Sequence, residues 1–315
     1  MATGAGKSLL KVRDLLHVRV AAPDLDEAER FLVTFGLATV GRTPDRLYSR
    51  GTDAGPWCHV VERGEARLIG SAFLVDDRAQ LEKAAAIAGA GAIEPTGEPG
   101  GGDRVRLTDP NGFSVDIIHG IESLPALPVE EHRVNTAFRR GRPDGQLYRR
   151  PPGPAHVRRL GHFVLSTPDL DRTRQWYREV LGLIGTEDIF AGEKDNIVAS
   201  FSRLARGEEY VDHHVFMTHK GAKADLNHLG FEVLDADDLF FGHYYMKDAG
   251  VRHRWGVGRH RLGSQIYNQW FDPWNRGYEH WTDTDVLNEQ HELALVPAAE
   301  ALKSQWGDAP PVKFE

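Results

Sequence analysis

The chain has little cysteine: Cys58 is the only one in 315 residues, so no internal disulfide can form and a reducing cytoplasm is the expected setting. No apolar run approaches the roughly 18 residues needed to cross a bilayer. The N-terminal stretch MATGAGKSLLKVRDLLHV also lacks the apolar centre of a secretory signal. Positive charge is in deficit. A net charge of −8 argues against a phosphate-backbone partner, so neither nucleic acid nor membrane is expected. There is no phosphate loop, nucleophile elbow or dinucleotide fingerprint.

What remains is 41% hydrophobic and 27% charged, a globular profile long enough for two domains of ordinary size. One basic cluster stands out, FRRGRPDGQLYRRPPGPAHVRR (138–159). Its proline and glycine content suits an exposed linker better than a nucleic-acid site.

The chain repeats itself. LLHVRVAAPDLDEAERFLVTFGL (15–37) and LGHFVLSTPDLDRTRQWYREVLGL (160–183) share one pattern, with His17 opposite His162 and a PDLD in each. A β-rich segment leads through a Pro-Asp turn into an amphipathic helix carrying Phe31 or Trp176. The acidic first turn suits a helix N-terminus, and Gly36-Leu37 and Gly182-Leu183 suit its C-cap. The far ends repeat too: LTDPNGFSVDIIHG (107–120) matches WFDPWNRGYEHWTD (270–283), so Asp116 stands where Glu279 stands. Two mostly β modules are expected, at 1–120 and 159–285. A Pro/Arg-rich linker over 121–158 joins them, and a charged, helix-leaning tail occupies 286–315.

His162, His228 and Glu279 each sit in a short apolar stretch, at LGHFVLSTPDLD, LNHLGFEV and FDPWNRGYEHW. Two imidazoles and one carboxylate on one face of an octahedral ion leave the opposite face open, the arrangement of non-haem Fe(II) oxygenases. Spacings of 66 and 51 residues mean that the three cannot come from one helix. A lone histidine in an apolar strand is usually an ordinary hydrogen-bonded residue, and this chain has 15. Three candidates in matching contexts, complete in only one repeat, favour the metal. Aligning GSAFLV with HLGFEV through Phe73 and Phe231 puts Gly70 where the first module would need its middle ligand. Asn227 and His280 flank ligands and should point to the opposite face by strand alternation.

This pattern resembles the vicinal oxygen chelate superfamily and, within it, the type I extradiol ring-cleaving dioxygenases. The resemblance covers nearly the whole chain and is strongest over 160–285. It implies an α+β fold of two tandem modules, each made of paired βαβββ units. It further implies an iron enzyme, with Mn(II) also compatible, that cleaves a catechol-type aromatic beside its diol. The implied partners are a small aromatic diol and O2, and a homo-oligomer is expected. By the same resemblance His214, of the tandem His213-His214, is the acid–base residue, and His260 in GVGRHRLGSQIYNQWFDP hydrogen-bonds the catecholate. Where the family usually has a tyrosine this chain has Gln269. Gln269 can donate an amide hydrogen to a substrate oxygen, or Tyr267, two residues earlier on the same strand face, can supply the phenol.

Trp255, Tyr267, Trp270, Trp274, Tyr278 and Trp281 crowd this region. Those that face the metal favour a flat, largely apolar ring. Arg252, Arg254, Arg259 and Arg261 are either carboxylate ligands or, as expected, ordinary loop charges. Two other functions fit the fold: a glyoxalase-type isomerase or lyase, and a metal-free small-molecule-binding protein of the resistance type.

Overall fold

The computed structural model describes residues 8–308; residues 1–7 of the N-terminal stretch and 309–315 of the tail lie outside the described residues. The first module runs β1 (Asp14–Ala22), α1 (Leu25–Phe35), β2 (Ala38–Arg42), β3 (Arg46–Arg50), β4 (His59–Arg63), β5 (Arg67–Leu74), α2 (Arg78–Ala85), β6 (Glu94–Pro95), β7 (Asp103–Thr108) and β8 (Ser114–His119). Its strands form one sheet in the order β2-β3-β4-β1-β5-β8-β7-β6. That order is two βαβββ units joined through their first strands, β1 and β5, which pair antiparallel.

The second module repeats the scheme with β9 (Val157–Thr167), α3 (Leu170–Leu181), β10 (Ile184–Phe190), β11 (Ile197–Arg203), β12 (Val211–Asp212) and β13 (Phe216–Lys220). It continues with β14 (Asp225–Val233), α4 (Ala236–Asp248), β15 (His253–His260), β16 (Ile266–Phe271) and β17 (Gly277–Thr282). Here β9 and β14 form the central antiparallel pair, flanked by β13 on one side and β17 on the other. The fold is α+β, two tandem modules of paired βαβββ units.

The repeated helices begin and end for the same local reasons. Asp24 accepts hydrogen bonds from the backbone of Asp26 and Glu27, and Asp169 does so from Arg172. Gly36 and Gly182 close them in the left-handed region, at φ of 113° and 80°. Leu25, Ala28, Phe31, Leu32 and Phe35 recur at helical spacing and bury one face of α1.

One apolar core runs through both modules. Phe35 of α1 packs against Phe231, with ring centroids 5.5 Å apart, and stacks on His280 at 3.8 Å. His59 accepts a hydrogen bond from the Tyr278 hydroxyl at 2.9 Å and donates to the carbonyl of Val18. Residues between β8 and β9 contain no regular strand or helix, and the acidic start of α4 holds them down. Arg150 and His156 bond Asp238, and His132 bonds Asp235.

The tail departs from the helix-leaning expectation. Beyond β17 it forms β18 (Val286–Leu287), β19 (Ala294–Pro297), a single helical turn α5 (Ala298–Ala301) and β20 (Ser304–Trp306). β19 adds to β10 and β20 to β15, so the tail extends the second sheet at both edges. Open strand edges supply the pairing partners that local propensity could not reveal.

Candidate metal centre and its cavity

Three adjacent strands bring His162, His228 and Glu279 together. His162 of β9 and Glu279 of β17 both lie opposite Gly230 of the central strand β14, and His228 is two residues earlier on β14. Period-2 alternation therefore points all three to one face. Their ligand atoms lie within 4.8 Å of one another. His162 Nε2 is 3.3 Å from Glu279 Oε1, and His228 Nε2 is 3.9 Å from Oε2. A Cβ at position 230 would lie 2.2 Å from His162 Nε2, so only glycine leaves room for that imidazole.

Burial by itself would raise the Glu279 carboxyl, but the imidazoles of His162, His260 and His228 hold it well below the ordinary carboxylate range. Glu279 is fully buried, and its Oε1 has no hydrogen-bond donor. Burial, helped by His162 and Arg254, pushes His228 well below the usual histidine range, so its ring is neutral. A buried carboxylate with a bare oxygen, facing the neutral His228 ring and the His162 imidazole, suits a divalent cation.

A chain of hydrogen bonds sets the His228 tautomer. Nδ1 of His228 donates to Asn227 Oδ1 at 2.8 Å, and Arg254 donates to the same oxygen at 2.9 Å and to the Asn227 carbonyl at 2.8 Å. This leaves Nε2 of His228 with its lone pair toward Glu279. Asn227 was expected on the opposite face. A register shift between Leu226 and His228 breaks the alternation and puts Asn227 on the wall of the cavity. Arg254 was expected as a loop charge and is instead a half-buried strand residue. His280 does face away, donating to the Phe35 carbonyl at 2.7 Å.

The three residues line a cavity of about 240 Å3 together with His214, His260 and Gln269. The His214 ring lies 4.3 Å from that of His162. Burial, reinforced by His162 and His213, lowers it well below the ordinary histidine range. Behind it His213 Nε2 lies 3.2 Å from Glu187 Oε2, and His213 Nδ1 lies 3.1 Å from His214 Nδ1. The Glu187 carboxylate accepts a hydrogen bond from His213 Nε2–H, so His213 Nδ1 accepts from His214 Nδ1–H. His214 Nε2 then keeps its lone pair. Glu187, on β10, carried no signal in the sequence; only strand pairing brings it behind the histidine pair.

Two expectations meet different partners. The Gln269 amide donates one of its two hydrogens to Glu279 Oε2 at 2.6 Å, and its side chain also lines the cavity. Tyr267 is fully buried and is not part of the cavity wall; its hydroxyl meets Ser304 Oγ at 3.1 Å and its ring stacks under His260 at 3.9 Å. Burial raises its pKa to about 12. The added strand β20 covers Tyr267, which alternation along β16 alone could not foresee. Of the arginines, Arg259 bonds Asp283, Arg261 pairs with Glu300, and Arg252 bonds Asn275.

The first module carries the same register without the same chemistry. His17 and Asp116 both lie opposite Ala72, with Gly70 two residues earlier, at the position His228 holds. Asp116 forms a bidentate pair with Arg106 at 2.7 and 2.8 Å, and His17 packs on Trp57.

Residues 159–279 match the family described as the Glyoxalase/Bleomycin resistance protein/Dioxygenase superfamily. The chain is 32% identical over 311 residues to Metapyrocatechase 2 of Cupriavidus necator, covering 96% of this chain and 91% of that protein. The chain belongs to this superfamily and, within it, to the extradiol ring-cleaving dioxygenases. Among solved structures, the Mn(II)-bound glyoxalase from Novosphingobium aromaticivorans superposes with a TM-score of 0.77 at 21% identity, over 96% of this chain and 93% of that one. Homoprotocatechuate 2,3-dioxygenase from Brevibacterium fuscum, in complex with 3,4-dihydroxyphenylacetate, gives 0.77 at 21%, over 97% and 93%. The 2,3-dioxygenase LapB from Pseudomonas sp. KL28 gives 0.74 at 19%, over 92% and 99%. At these identities the three structures speak to the fold alone. No helix among the described residues is long and apolar enough to cross a membrane.

Proposed function

We propose that this enzyme is an Fe(II)-dependent extradiol dioxygenase that adds both atoms of O2 to a catechol-type aromatic and opens the ring beside the diol. The observation that carries the proposal is the convergence of His162, His228 and Glu279 on the wall of a cavity that His214 and His260 also line. The metapyrocatechase relative supports the same reading.

In this reading His162 Nε2, His228 Nε2 and a Glu279 oxygen hold the ion, and Mn(II) is chemically compatible with the same donors. When bound, such an ion supplies the Lewis-acid and electron-transfer chemistry that joins an electron-rich diol to O2. The protein supplies the rest. Asn227 and Arg254 keep the His228 lone pair aimed inward, and Gln269 fixes the carboxylate of Glu279. His214 is neutral and has Nε2 free, so it takes a proton from a substrate hydroxyl and returns it later. His260, whose Nε2 is 3.8 Å from Glu279, is within reach of the same substrate oxygens and donates a hydrogen bond to one of them. Burial of the whole group excludes water and strengthens each of these interactions.

The test is anaerobic reconstitution with Fe(II) or Mn(II), metal analysis, and a catechol panel under air. A yellow ring-opened product with one O2 consumed per substrate is the expected result. A metal-loaded protein that leaves every catechol intact but isomerises a hemithioacetal would replace this reading with the glyoxalase type.

A further inference from the structure

A second group of metal-ligating side chains lies where the segment between β8 and β9 crosses the start of α4. His132, His156 and Asp238 present ligand atoms that all lie within 4.8 Å of one another, and none of the three lines the cavity. The Asp238 side chain is fully buried, that of His132 is 5% exposed, and the partly exposed His156 gives an ion a way in.

Each carboxylate here spends one oxygen on the backbone and turns the other to an imidazole. Asp235 caps α4 by accepting from the Asp238 amide through Oδ1 at 2.8 Å, and its Oδ2 lies 3.0 Å from His132 Nδ1. Asp238 Oδ2 accepts from the His156 amide at 2.8 Å, and its Oδ1 lies 2.9 Å from His156 Nδ1. As a neutral ring, His132 donates Nδ1–H to Asp235 and keeps a lone pair on Nε2. A carboxylate behind the ring is what orients a metal-ligating imidazole.

The Arg150 guanidinium fills the seat beside these atoms and fits it poorly. Its Nη2 lies 2.9 Å from Asp238 Oδ1 and 3.1 Å from His156 Nδ1, while its buried Nη1 has no acceptor. With a proton on His156 Nδ1, two donors face each other across 3.1 Å. Without it, two lone pairs face each other across 2.9 Å. A divalent ion held by both atoms removes the conflict, since ligands about 2.1 Å from one ion lie about 3–3.4 Å from each other. Charge favours the exchange too, because Asp235 and Asp238 together outweigh the one charge of Arg150.

We propose that His132, His156 and Asp238 form a second, structural metal site that takes Zn(II), with water as the fourth ligand. Imidazole with carboxylate suits zinc, and Mn(II) and Fe(II) stand below it in the affinity order. The ion pins a linker that has no strand or helix of its own to α4, so its binding energy counts as folding energy. The site stands independently of the ring-cleavage reading.

The test is zinc titration of the full chain, removal of loosely held ion, and metal analysis. The wild type should hold two zinc ions per chain, His132→Ala one, His228→Ala one, and the double variant none. The His132→Ala count leaves the first centre intact and so does not depend on the folding of the His228 variants. Asp235→Asn keeps an N-cap but removes the charge behind His132. In the His228→Ala background it should weaken zinc binding about 10–100-fold, and Arg150→Gln there should tighten it. Trypsin cleavage after the exposed Arg139, Arg140 and Arg149 should slow when zinc is added to His228→Ala, and should not change in the double variant. Equal zinc in the wild type and His132→Ala, or a zinc-free His228→Ala protein, overturns the proposal.

Discussion

Gln269 and Glu279 face each other across β16 and β17 in the register that Arg106 and Asp116 occupy across β7 and β8. In the second module a neutral amide donates one hydrogen bond of 2.6 Å to the carboxylate. In the first a guanidinium covers both oxygens. The same backbone position thus decides whether the acid stays available to a cation or is neutralised by the protein. Glutamine orients Glu279 without cancelling its charge.

Gln269→Ala should therefore act on the metal more than on the substrate. We expect metal affinity to fall by about 10–100-fold, as for other lost supports of a ligand, measured by titration with Mn(II) and competing chelator. Tyr267→Phe should change turnover little, because its hydroxyl faces Ser304. If Gln269→Ala holds its metal normally but raises KM for catechol, the amide serves the substrate after all.

His214→Gln should keep its metal and lose roughly 10²–10⁴-fold in kcat, the usual share of general acid–base catalysis. Glu187→Gln removes only the charge that holds His213 in its Nε2–H form. It should lower kcat with unchanged metal content and little change in KM, whereas His213→Ala should do so more severely. Normal turnover in both would mean that the chain Glu187–His213–His214 has no part in the reaction.

Each chain should bind one equivalent of Fe(II) or Mn(II). A Cβ at Gly70 would lie 2.0 Å from the Ser114 carbonyl, so Gly70→His should destabilise the first module without creating a site. Thermal melting and metal analysis of that variant check both halves of the statement. Two tightly held equivalents of either ion in the wild type would contradict it.

Stability should fall in mild acid. Burial, aided by the nearby Arg276 charge, depresses His59 to about 3, and it is neutral where it bonds Tyr278 and Val18. Its contribution is fully present above the unfolded histidine value of about 6.5. Below that it is lost at ~1.4 kcal/mol per pH unit until the folded value is reached. Urea denaturation of wild type and His59→Gln at pH 7.5, 5.5 and 4.5 should show the flatter dependence in the variant. Parallel curves would show that His59 does not couple the modules to pH.

The sequence by itself determined whatever is encoded in contiguous residues. The paired PDLD helices, the Gly36 and Gly182 caps, the internal repeat and the α+β class were legible because capping, turns and apolar period act over a few residues. The short stretches around His162, His228 and Glu279 stood out for the same reason, and so did the vacancy at Gly70. Tertiary structure alone decided what depends on which strands lie side by side. The contact of Arg254 with the Asn227 that the bulge turns toward His228, the glutamate behind His213, the Gln269 amide on Glu279 and the tail strand over Tyr267 all join residues 10 to 37 positions apart. Side-chain alternation predicts a face only while the ladder is regular and its neighbours are known. At this centre one register shift and one added edge strand set aside that rule, and they did so where the chemistry is held.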